Sequence, residues 1–93
     1  MFEPIKSGRF KYYQKRLGIK TYFFTFEDKR YFFELDEGDD PAWKNVYVNR
    51  GKEIHVFDVI GADGDQADVV YNGESILSPR RLKRWGYYTA IPV

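Results

Sequence analysis

Apolar and aromatic positions in this chain fall in short runs separated by clusters of Gly, Asp, Asn and Pro, the spacing of strands and turns rather than of long helices. Phe10–Tyr13, Lys20–Phe26 and Arg30–Leu35 are rich in rings and β-branched residues, which suit a pleated surface, and the link Glu27-Asp28-Lys29 is short enough for a hairpin. Both of the latter segments are apolar on both faces. In a small domain with one core, some of their rings must therefore reach the surface or sit beneath another element.

After the turn-rich break Gly38-Asp39-Asp40-Pro41, the pattern predicts strands over Asn45–Val48 and Ile54–Ile60, joined through Asn49-Arg50-Gly51-Lys52. A loop Gly61–Asp65 follows, then a strand over Ala67–Tyr71. Asn72-Gly73 is a type I′ hairpin signal leading into Glu74–Leu77. Ser78-Pro79 reads as an N-cap followed by proline at the first helical position, and Gly86 is placed to end the helix, so Pro79–Trp85 is predicted as two helical turns. Tyr87–Ile91 returns to strand and Pro92, which has no N–H for a ladder, ends it. The expected fold class is mainly β: a small five-stranded barrel with a short C-terminal helix and an extra strand. With 93 residues and no repeat or linker, a single domain is expected.

Charge changes this picture more than composition does. The net charge is +1, yet residues 1–26 hold six basic residues and one acidic, residues 75–93 hold four basic and none acidic, and residues 27–74 hold five basic and thirteen acidic. From Pro4 to Phe26, six cations alternate with seven rings without a single carboxylate. Cations neutralise phosphates and flat rings stack on unpaired bases, so this interleaving suits a single-strand nucleic-acid surface. On composition alone, an aromatic core beneath a solvated basic face accounts for it more simply. The absence of cysteine excludes disulfides and agrees with a reducing, cytoplasmic setting. Glu3 and Pro4 precede no apolar signal-like run, and no segment has the length a membrane span needs, so no membrane association is expected.

The order of the pieces resembles the cold-shock domain. Gly8-Arg9-Phe10-Lys11-Tyr12-Tyr13 is similar to that family's opening strand, and Tyr22-Phe23-Phe24-Thr25-Phe26-Glu27-Asp28 falls where its first RNP-like motif lies. Tyr31-Phe32-Phe33-Glu34-Leu35 takes the place of the second motif. Gly51–Gly61 resembles the next strand, and Gly64-Asp65-Gln66-Ala67-Asp68-Val69-Val70 matches the family's Gly-Pro-Gln-Ala-x-Asn-Val segment best. The resemblance covers residues 8–71. Lys20 and Tyr22 replace the first motif's glycines, Thr21 replaces a stacking ring, and Glu34 and Leu35 stand where the second motif has histidine and a ring. Asp58 lands on a position expected to be apolar, which implies either a bulge in the strand or a slip in the alignment.

The resemblance implies an OB-like barrel whose exposed sheet face binds single-stranded RNA or DNA by stacking. Carried over by position, the implied contacts are Lys11, Tyr12, Phe23 and Phe32, with Lys20 adding a phosphate contact that family members lack. Beyond the resemblance, the helix carries Arg80, Arg81, Lys83 and Arg84. Leu82 and Trp85, three apart, would dock on the barrel. The cations then suit a phosphate clamp, a binding helix for an acidic protein partner, or a solvated lid.

No catalytic role is expected. His55 is the sole histidine, Ser7, Ser75 and Ser78 lie at no triad-like spacing, and Asp63, Asp65 and Asp68 lack the remaining positions of a calcium loop, so neither metal nor cofactor is predicted. The competing function is a protein-binding adaptor or inhibitor on the same barrel, with the acidic centre or the basic helix meeting a protein partner.

Overall fold

The computed structural model describes residues 17–93, which form strands β1 (Ile19–Phe26), β2 (Lys29–Asp36), β3 (Asn45–Arg50), β4 (Glu53–Asp63) and β5 (Gln66–Glu74), helix α1 (Pro79–Arg84) and strand β6 (Tyr88–Pro92). The predicted strand Phe10–Tyr13 lies outside the described residues. The strands close into one barrel in the order β1-β2-β6-β3-β4-β5.

Side-chain alternation explains the closure. Tyr22 and Phe24 of β1, Tyr31, Phe33 and Leu35 of β2, Val46 and Val48 of β3, Phe57 and Val59 of β4, Ala67 of β5 and Ala90 of β6 all turn inward and are buried together. The β1–β2 hairpin turns through Glu27 and Asp28, both with positive φ (50° and 64°), the backbone of a two-residue primed turn. At the other seam β1 meets β5 in parallel at Phe23 and Gln66, where the Phe23 N–H donates to the Asp65 carbonyl at 2.8 Å.

The C-terminal strand is part of the barrel wall. β6 pairs antiparallel with β2, through Tyr31–Pro92 and Phe32–Ile91, and parallel with β3, from Val46–Tyr88 to Val48–Ala90. Beyond Pro92 the Val93 N–H donates to the Arg30 carbonyl at 2.9 Å. A second apolar cluster lies outside the wall, where Leu82 of α1 packs on Tyr47 of β3 and Val56 of β4, flanked by Ile54, Leu77 and Tyr87. Both faces of β3 and β4 are therefore buried where the helix crosses them.

Two sequence expectations change. β5 runs unbroken to Glu74, so Asn72-Gly73 is no hairpin and Glu74–Leu77 is no separate strand. His55 pairs with Glu74 and Phe57 with Tyr71, which sets two residues of β5, Asn72 and Gly73, against the single residue Val56. The positive φ of Gly73 (93°) is used in a β-bulge rather than a turn. A second bulge leaves Ile60 without a partner between the pairs Val59–Val69 and Gly61–Asp68, and β4 extends to Asp63 before a tight reversal at Gly64-Asp65. Asp58, between the two bulges, faces outward and accepts a hydrogen bond from the Asn45 side-chain amide at 2.6 Å.

A bulge and a hairpin respond differently to substitution. Asn72→Thr, which would disrupt a type I′ turn, should change denaturant-measured stability by less than about 0.5 kcal/mol, whereas Gly73→Val should lower it by more than about 1 kcal/mol because its φ is positive.

Candidate functional site

The alternation that builds the barrel also divides the predicted binding residues. Phe23 and Phe32 lie on the outer face of β1 and β2, paired across the strands with ring centroids 6.1 Å apart. Phe32 is wholly buried and offers no face to a base. Phe23 is half-buried, with the Arg30 guanidinium 4.6 Å from its ring centroid. Glu34, also on this outer face, is half-buried and engaged rather than free. Lys20 shares the parity of Tyr22 and Phe24, and its ammonium sits 5.3 Å from the Tyr22 ring at the end of the barrel rather than beside Phe23. Lys11 and Tyr12 lie outside the described residues. Among the described residues, the expected row of stacking rings is thus reduced to Phe23.

The helix assembles its candidates better. Ser78 caps it, its hydroxyl accepting from the Arg81 N–H at 3.3 Å, and Pro79 supplies a preset φ at the first position. Leu82 is the one buried residue of α1, which leaves Arg80, Arg81, Lys83 and Arg84 exposed around it. None of the four takes part in an ion pair among the described residues. The helix ends at Trp85, followed by Gly86 with φ 96°, and the Tyr87 N–H returns to the Leu82 carbonyl at 2.9 Å. That reversal carries the indole away from the barrel: Trp85 does not dock, and is 74% exposed. A ring expected to dock on the barrel is instead exposed at the end of a helix with four cations.

A second constellation occupies one end of the barrel and has no counterpart in the sequence expectations. Phe26 packs against Phe57 (4.9 Å, edge-on), Tyr71 (5.4 Å, stacked) and His55 (5.2 Å), with the Arg50 guanidinium 4.8 Å from its ring centroid. Arg50 donates to the Tyr31 hydroxyl from Nε (3.2 Å) and Nη2 (3.1 Å) and pairs with Glu27 through Nη1. Hydrogen bonds to Glu27 and then Tyr31 hold the Arg50 pKa above its ordinary value. His55 is buried, with Nε2 3.1 Å from Glu53 Oε1 and Nδ1 2.8 Å from the Tyr71 hydroxyl. A carboxylate only accepts, so Nε2 carries a proton; in the neutral ring Nδ1 then accepts from Tyr71. Both nitrogens are thereby committed to neighbours. The signal for this network lay in the register, since Arg50, Glu53, His55 and Tyr71 converge only once β3, β4 and β5 are paired.

Among the described residues no group of three His, Asp or Glu side chains is placed to hold a metal ion, and no helix is long and apolar enough to cross a membrane.

The Tyr71 phenol is raised above its ordinary value of 10.0, first by packing around it and then by the charges of Glu74, Glu27 and Glu53. The native state thus keeps a proton that the unfolded chain releases. Stability from this group is fully present below pH 10.0 and falls as pH rises through and beyond it. Urea unfolding followed from about pH 9 to 11 should show a steeper alkaline decline in the wild type than in Tyr71→Phe; equal declines would remove Tyr71 as the source.

Compared with known proteins, the chain matches no family model, no curated protein and no solved structure, and what the cold-shock resemblance and the structure share is a small closed β-barrel of OB-like kind.

Proposed function

We propose that this barrel is a non-enzymatic binding module for single-stranded RNA or DNA, with its contact surface centred on α1 rather than on the sheet face. The observation that carries the reading is the juxtaposition of Trp85, exposed at the helix end, with four cations that have no carboxylate partner among the described residues. Arg80, Arg81, Lys83 and Arg84 supply phosphate contacts, three of them as guanidinium forks that match phosphate oxygens. Trp85 supplies a stacking face that accepts any base. Leu82 anchors this surface to the barrel through Tyr47 and Val56, so the cations are presented on a fixed element. Phe23 with Arg30 forms a second, smaller stacking position on the β1–β2 wall.

The test is titration of labelled single-stranded oligonucleotides, RNA and DNA, at several salt concentrations. Log affinity should fall with log salt with a slope of about −2 to −3, for three or four phosphate contacts at ~0.7 each. Trp85→Ala should weaken binding by about 1 to 3 kcal/mol with little change in that slope. Arg81→Glu with Arg84→Glu should flatten the slope by about 1.4. No binding at low salt, or an affinity indifferent to both variants, would overturn the assignment.

A further inference from the structure

On the acidic side of the molecule stands the second exposed tryptophan. The turn Pro41–Lys44 is closed by the Lys44 N–H donating to the Pro41 carbonyl at 3.1 Å, and its third residue, Trp43, has φ 69°. Turns of this shape place glycine there, because a side chain at positive φ is strained. Here a tryptophan occupies the position and is 77% exposed, so neither backbone preference nor core burial accounts for it. The Trp43 N–H donates to the Val59 carbonyl at 2.6 Å and the Val59 N–H to the Lys44 carbonyl at 2.8 Å, which fixes the turn against β4. Next along β4 from Val59 is exposed Ile60, the unpaired residue of the bulge, and on β5 beyond it is exposed Val70. Asp58 pairs with Val70 across β4 and β5, exposed Asp68 stands opposite Gly61, and exposed Asp40 immediately precedes the turn. Lys44, next to Trp43 in the chain, has its ammonium bound to the Asp40 carbonyl at 2.8 Å.

The complement to this surface is on the same chain. The helix sits over Tyr47 and Val56 on the outer face of β3 and β4, and the Trp43 turn sits further along that face, beyond the Asn45–Asp58 pair. One face therefore presents a positive helix at one end and an acidic, apolar patch at the other. We propose that the occupant of the Trp43 surface is a second copy of this chain, in a two-fold dimer that lays α1 of each copy on the acidic patch of the other. A two-fold contact is self-complementary, so one displaced pair of opposite patches supplies both halves of the interface. Trp43, Ile60 and Val70 provide its apolar centre, and Asp40, Asp58 and Asp68 face Arg80, Arg81, Lys83 and Arg84. This inference goes beyond the nucleic-acid reading but shares its helix, so an oligonucleotide and a second copy compete for the same cations.

Sedimentation equilibrium of the full chain tests it. A monomer–dimer equilibrium is expected at low salt, moving toward monomer as salt shortens the screening length to about 3 Å near 1 M. Trp43→Gly, which relieves the positive φ and so keeps the fold, should weaken dimerisation at least tenfold while leaving oligonucleotide affinity at low protein concentration unchanged. Asp68→Lys and Arg81→Glu/Arg84→Glu should each weaken self-association, and an equimolar mixture of the two should recover it as a heterodimer. A monomer mass at every concentration in low salt would overturn the proposal, as would a dimer indifferent to Trp43→Gly or a charge-swapped mixture that fails to recover. Since Trp43 lies outside the nucleic-acid surface, failure of the dimer leaves oligonucleotide binding standing, and the reverse.

Discussion

Phe24 holds the barrel together across its interior. Its ring lies 5.8 Å from Tyr31 and 6.2 Å from Phe33 on the neighbouring strand, and 5.2 Å from Phe57 on β4, which is not adjacent to β1 in the wall. A sheet of six short strands closes only if the inward side chains fill the volume they enclose, and here rings do most of that filling. Closure in turn removes the exposed edges that would otherwise template pairing with other chains. The weakest seam, the single parallel pair between β1 and β5, is one residue along β1 from Phe24. That seam therefore depends on core packing more than on its own ladder.

The same period of two decides which side chains are available to a ligand. Lys20, Tyr22, Phe24 and Phe26 share one side of β1, while Thr21, Phe23 and Thr25 share the other. Lys20 and Phe23, an odd number of residues apart on one strand, point to opposite faces, which the sequence spacing alone dictates. The burial of Phe32 was not visible there. It depends on what surrounds the outer face of β2, and a two-sided apolar strand only signals that something must. In the same way Tyr47 and Val56, on the outer face of their strands, are buried because α1 covers them.

The strands, the Glu27-Asp28 reversal and the capped helix were legible because each rests on local chemistry: alternation, a short polar link, and Ser-Pro before an amphipathic turn with Gly after it. Asn72-Gly73 misled because a glycine at positive φ serves a bulge as readily as a turn. Only the pairing partner distinguishes them, and the pairing is non-local. The role of β6 was hidden for the same reason. Its sequence reads as a strand, but nothing within it says that it joins β2 to β3 and so completes the wall. The network of Arg50, His55 and Tyr71 is likewise a product of register, because no spacing along the chain brings those three together.

The two tryptophans show what the core did not require. The chain has 18 aromatic residues, enough to fill a small barrel, and both of its largest rings are left outside. Trp43 sits in a turn where glycine would be at ease, and Trp85 sits at the helix terminus just before a glycine that reverses the chain. Placement at chain reversals is what keeps them exposed, since neither position has a strand or helix face to align it with the interior. Each also stands near a cluster of mostly one sign: Asp40, Asp58 and Asp68 on the face that carries Trp43, with Lys44 the cation beside it, and Arg80, Arg81, Lys83 and Arg84 on the helix that ends at Trp85. An exposed indole near a cluster of like charges contributes little to folding and a great deal to recognition, because a partner of opposite charge is drawn in before the ring is desolvated. Separation of charge along the chain thus becomes two distinct surfaces in space, each with a single large ring at its centre.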